Sequence, residues 1–79
     1  MTQVTTLTRD GSVRTALAKS TQLRRGVLTI LTSHDWKWRP GFLTLRVRAE
    51  GPGGRVREWV NGPKGWAVAA KAKARRRSK

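Results

Sequence analysis

Residues Leu43 to Ala49, "LTLRVRA", alternate apolar and polar side chains without a break. A period of two puts Leu43, Leu45, Val47 and Ala49 on one side of an extended chain and Thr44, Arg46 and Arg48 on the other, the pattern of a strand buried on one face. "EGPGG" follows at 50–54 and cannot continue that strand, because proline lacks a donor and glycine is flexible. "RVREWV" at 55–60 then resumes the alternation, so 42–60 is predicted to form a hairpin. The pairing that sets Arg48 against Arg55 brings Val47 beside Val56, Arg46 beside Arg57, Thr44 beside Trp59 and Leu43 beside Val60. A slip of one residue would turn the arginines toward the core.

Under that register Arg46, Arg48, Arg55 and Arg57 form a two-by-two basic block beside Trp59. Like charges directly opposite one another weaken a sheet. A chain selected only to fold would alternate the signs, so the block points to an anion seated on it. Its spacing suits phosphates, since alternate residues of a strand lie ~6.6 Å apart. The competing reading is a solvated face whose arginine stems cover apolar surface. Glu58 falls on the Leu/Val side opposite Leu45, which this register does not explain.

The chain has 79 residues, long enough for one small domain with a limited core. Eighteen Lys and Arg against four Asp and Glu give a net charge of +14, and such an excess favours a polyanionic partner. Arginine, the better residue for bidentate phosphate contacts, outnumbers lysine. Nucleic acid, DNA or RNA, is therefore the expected partner, with an acidic protein surface as the alternative. No stretch joins a basic face to a broad apolar helical face, so a membrane is not expected as a partner.

Cysteine is absent, which suits a reducing compartment and removes disulfides and thiolate ligands. One histidine and four carboxylates do not make an ordinary zinc site, and no cofactor is expected. The N-terminal "MTQVTTLTRDG" has no basic and apolar run of the signal-peptide type, and the expected location is cytoplasmic, on a nucleoid or a ribosome. Catalysis is not expected either. His34 and Asp35 are neighbours that point apart on an extended chain, and "GPGG" and "NGPKG" lack the strand-loop-helix setting of a phosphate loop. His34-Asp35 reads as turn chemistry, with Asp35 bonding local backbone N–H groups.

"VTTLTRDGSVRTAL" opens the chain, and Asp10-Gly11 between β-branched runs is a hairpin signal of the type I′ kind. It pairs Thr8 with Val13, Thr6 with Thr15 and Val4 with Leu17, and those six residues make a half-core. The rival is a helix over 12–25, capped by Ser12 and ended by Gly26. Val27 to Thr32 has apolar residues on both faces and reads as a central strand covered on each side.

The stretch "HDWKWRPG" interleaves two indoles with two cations. Trp36 and Trp38 point one way, Lys37 and Arg39 the other, and Pro40-Gly41 supplies the centre of a type II turn. Two of the four tryptophans are expected in the core, since a small core needs large side chains to close it. Trp59 is the first stacking candidate because its face carries arginines, and Trp36, Trp38 and Trp66 are further base-stacking candidates. Residues 67–79, "AVAAKAKARRRSK", form a low-complexity basic tail with Lys71, Lys73, Arg75, Arg76 and Arg77, expected to be disordered and to bind nucleic acid.

The predicted architecture is one basic domain at 1–66, mainly β, followed by the disordered tail at 67–79. The domain is expected to be a five-stranded barrel or curled antiparallel sheet of the OB or SH3-like kind, with strands near 3–9, 12–19, 26–33, 42–49 and 55–61. The alternative is α+β, with a helix at 12–25 on a three- or four-stranded sheet. The predicted function is non-catalytic nucleic-acid binding through the 42–60 hairpin, a tryptophan-bearing surface with Lys37 and Arg39, and the tail. A small basic effector docking on an acidic surface of a larger enzyme, such as a polymerase, is the alternative.

Overall fold

The computed structural model describes residues 1–73, with side chains described through residue 69. The chain is mainly β. Its strands are β1 Thr2–Thr8, β2 Val13–Arg24, β3 Val27–Thr32, β4 Lys37–Trp38, β5 Thr44–Glu50, β6 Arg55–Gly62 and β7 Gly65–Lys73. They form one antiparallel sheet in the order β4-β3-β2-β1-β5-β6-β7, curled into a half-barrel. Seven strands replace the five expected, because β4 and β7 add an edge on each side. Residues 13–24 of the span 12–25 form β2, so the helix alternative fails. Among the described residues the only helical turn is the 3₁₀ turn Pro52–Gly54.

Turn chemistry explains the registers. In β1–β2, Thr8 N–H donates to Ser12 O at 2.9 Å and Gly11 N–H donates to Thr8 O at 3.0 Å. Gly11 has φ +90°, whereas Asp10 keeps negative φ. The loop is thus three residues long, with its left-handed residue last, and not a two-residue type I′ turn. Leu7 therefore pairs with Val13 and Val4 with Ala16. This one-residue slip reverses the expected face of β2: Val13 and Leu17 are exposed, while Ala18 joins Val4 and Thr6 in the interior.

The type I′ geometry occurs one hairpin later. Arg25 and Gly26, at φ +50° and +78°, link the paired residues Arg24 and Val27. The β3–β4 turn repeats the β1–β2 design: Thr32 N–H donates to Trp36 O and Asp35 N–H to Thr32 O, both at 3.0 Å. Asp35 at φ +60° takes the role of Gly11. Its carboxylate accepts from Lys19 Nζ at 2.6 Å, where local backbone N–H groups were expected as donors.

Pro40-Gly41 is not the centre of a type II turn, since Gly41 lacks the positive φ that turn requires. Instead Thr44 N–H donates to Gly41 O at 3.0 Å, which places Phe42 and Leu43 at the turn. The amide of Asn61 holds this loop by donating to Thr44 O at 3.0 Å and Gly41 O at 3.3 Å. β3 is not covered equally on its two faces: Leu28 and Ile30 are buried, whereas on the other side Val27 is exposed and Leu31 half-buried.

The interior is the concave face. Val4, Ala18, Leu28, Ile30, Val47, Ala49, Trp59 and Trp66 pack together there, with Leu23 and Trp38 half-buried against them. Register shifts at Leu7/Thr8, Ala18/Ser20 and Glu58/Trp59 interrupt the ladders. Such irregularities bend strands and raise their twist, which lets a single sheet fold over its own face. The curl ends where the β2–β3 turn meets the start of β7, and Trp66 N–H donates to Gly26 O at 2.8 Å. β7 pairs with β6 through Lys73, so the expected boundary at 66/67 falls inside a strand. Residues 74–79, the rest of the expected tail, lie outside the described residues.

Candidate nucleic-acid interface

The β5–β6 hairpin forms, but in another register. Arg48 lies opposite Glu58, Arg46 opposite Val60, Val47 opposite Trp59 and Ala49 opposite Arg57. The predicted pairing differs by three residues, an odd shift that reverses the faces of β6 against β5. Arg46 and Arg48 stand on the convex face and Arg55 and Arg57 on the concave side, so the two-by-two arginine block is not formed. Glu58 lies between the first two, 4.0 Å from Arg46 and 3.8 Å from Arg48. Arg48 also lies 3.6 Å from Glu50. The convex face of the hairpin is therefore a mixed-sign network, the arrangement a sheet favours.

The tryptophans divide differently from their expected roles. Trp59 is only 3% exposed and cannot offer its ring to a base. Its place opposite Val47 makes it a core residue, and the Arg57 guanidinium lies 5.9 Å from its centroid, within cation–π range. Trp66 is also buried, at the closure beside Gly26. Trp38 pairs with Ile30 and rests half-buried on the core. Trp36 is 68% exposed. Two tryptophans are thus in the core, and the free indole is Trp36.

Trp36 and Trp38 line one groove with Arg14, Thr15, Ala16 and Thr32, about 300 Å³ in volume. The β3–β4 turn positions the site. Thr32 Oγ donates to Trp36 O at 3.2 Å and accepts from Trp36 N–H at 3.3 Å, which fixes the backbone that carries the indole. Arg14 is exposed on the adjoining part of β2, and Lys37 and Arg39 flank Trp38 in the chain, both exposed. Among the described residues the ion pairs engage Lys19, Arg46 and Arg48, and none involves Arg14, Lys37 or Arg39. The sequence reading missed Arg14. Its signal lay in the slip of the first hairpin, which turns Arg14 toward the side that carries Trp36.

Asp10 closes the β1–β2 turn. Its carboxylate accepts from the Thr8 hydroxyl and, at 2.9 Å, from Ser12 N–H, and these bonds lower its pKa from 3.8 to about 2. It remains charged and engaged in its turn. No group of three or more His, Cys, Asp or Glu among the described residues has a metal-binding arrangement. Lys71 and Lys73 occupy β7 positions opposite Arg57 and Arg55. Arg75, Arg76 and Arg77 lie outside the described residues. The chain matches no protein-family model, no curated protein and no solved structure.

Proposed function

We propose that this protein binds nucleic acid without catalysing a reaction on it, through the groove of Trp36, Trp38 and Arg14. The observation that carries the reading is the exposed Trp36 indole sharing a groove with Arg14, which no ion pair among the described residues engages. Residues 1–70 hold twelve Lys and Arg against four Asp and Glu, a net of +8, so a polyanion is attracted even without the residues beyond them. An exposed aromatic in a basic groove suits stacking on an unpaired base, which contributes about 1–3 kcal/mol per base. Lys37 and Arg39 would take the neighbouring phosphates.

The test is a tryptophan-fluorescence titration with single-stranded DNA, RNA and duplex DNA at several salt concentrations. Trp36→Ala is expected to weaken single-strand binding by on the order of 5- to 100-fold, with Trp36→Phe recovering part of the loss. The log–log salt slope is expected near −0.7 per phosphate engaged on a single strand. Unchanged affinity in Trp36→Ala would remove the groove from the interface.

A second reading has its own observation. Phe42 is 77% exposed and Leu43 is also exposed; Arg9 donates from its backbone N–H to Leu43 O at 2.8 Å and from Nε to Phe42 O at 3.2 Å. Apolar groups beside a cation suit an acidic protein surface, as a small effector docking on a larger enzyme would need. Phe42→Ser would abolish that docking and leave the oligonucleotide titration unchanged.

A further inference from the structure

The end of the half-barrel away from Trp36 holds an open cleft of about 850 Å³ that the nucleic-acid reading leaves without a role. Arg55 and Arg57 line it together with the hydroxyl residues Thr2, Ser20 and Thr21, and the β5–β6 loop at Gly51–Gly53 forms its rim. Among the described residues no carboxylate lines it. We infer that this cleft is a binding site for a phosphate group.

Two observations converge on that ligand. First, both guanidiniums belong to exposed residues, and among the described residues no ion pair occupies either of them. The same strand's Glu58 is turned to the other face, toward Arg46 and Arg48. Second, the cation–π approach of Arg57 to Trp59 gives its guanidinium a fixed support, which reduces the ordering cost of a bidentate contact. Guanidiniums and hydroxyls without an acid match the oxygens of a phosphate, which accept from both.

The phosphate has two possible sources, a free phosphorylated small molecule or the backbone of the nucleic acid. Inorganic pyrophosphate is the probe for the shared chemistry. Calorimetric titration into the full chain at low salt is expected to show one saturable site, with the Nε–Hε signals of Arg55 and Arg57 shifting in an NMR titration. Arg55→Gln with Arg57→Gln is expected to lose on the order of tenfold in affinity per guanidinium removed. Arg24→Gln with Lys64→Gln removes the same charge from residues that do not line the cleft and should bind pyrophosphate nearly as the parent does.

A single-stranded oligonucleotide that displaces pyrophosphate identifies the backbone as the source. Simultaneous binding of the two identifies a free phosphorylated ligand. Absence of saturable binding, or equal losses in the two double variants, overturns the inference. The pyrophosphate titration contains no nucleic acid, so its failure is separate from any failure of the Trp36 groove.

Discussion

Gly65→Ala tests whether the half-barrel depends on its closure. Gly65 has φ +103°, and a Cβ there would lie 2.7 Å from Gly26 O and 3.1 Å from Gly26 Cα. Both obstacles are backbone atoms, so no side chain can swing aside. The backbone conformation alone costs an L-residue about 1–3 kcal/mol. Relieving the clash must displace Gly26, whose carbonyl accepts from Trp66 N–H at 2.8 Å. Losing that bond at the edge of the core adds about 1–2 kcal/mol. The total is about 2–5 kcal/mol, against a stability of about 4–12 kcal/mol for a chain of this size. At ~4–8 °C per kcal/mol, melting should fall by at least ~8 °C.

Gly11→Ala and Gly41→Ala divide the effect. Gly11 has φ +90° but nothing within 4 Å of an added Cβ, so only the conformational cost remains. Gly41 has open space and no positive φ, and its alanine variant should be neutral or gain up to about 1 kcal/mol through the unfolded chain. Thermal melts at fixed pH should rank the variants Gly65→Ala below Gly11→Ala below Gly41→Ala. Equal melting of Gly65→Ala and Gly11→Ala would show that the contact with Gly26 does not hold the curl, and the reasoning from the Cβ clash would be refuted.

Acid should weaken the β1–β2 turn. Asp10 has a folded-state pKa of about 2, below the ordinary 3.8, so between those values the unfolded chain binds more protons and stability falls as pH falls. Melts of Asp10→Asn from pH 5 to pH 2 should show a shallower acid limb than the parent, and identical limbs would exclude Asp10 as a contributor. Asp35 combines a left-handed φ of +60° with an exposed ion pair to Lys19, two effects of opposite sign. Asp35→Gly should therefore be near neutral in the parent and stabilising by about 1 kcal/mol in a Lys19→Gln background, measured by denaturant unfolding. Arg46→Ala and Arg57→Ala lie on opposite faces, and their effects on unfolding should add to within about 0.5 kcal/mol. A larger coupling would mean that they share a face after all.

Five of the seven strands were legible in the sequence, and their registers were not. Alternation identifies which residues extend, and every predicted strand has an observed counterpart. Faces depend on loop length, which alternation does not set. In β1–β2 the sequence Asp10-Gly11 is compatible with a two-residue loop. The Thr8 hydroxyl and the Asp10 carboxylate instead bind Ser12 N–H at 3.1 and 2.9 Å and select a three-residue loop. The same design at Thr32–Trp36 was hidden because aspartate stands at the left-handed position that glycine usually marks. β7 was hidden by composition, since "AVAAKAK" has the small and charged residues of a tail, yet it forms an edge strand of the sheet.

Glu58 held the information that the predicted hairpin lacked. With Arg48 opposite Arg55, four arginines face one another and a carboxylate enters the apolar side, two unfavourable arrangements at once. With Arg48 opposite Glu58, both disappear: opposite charges meet on the convex face and Trp59 meets Val47 in the core. A foldable sequence tends to satisfy its local choices together, so an unexplained residue argues against the register before it argues for a ligand. An anion is suited not to four facing arginines but to the cleft that Arg55 and Arg57 line, where no ion pair among the described residues engages either guanidinium.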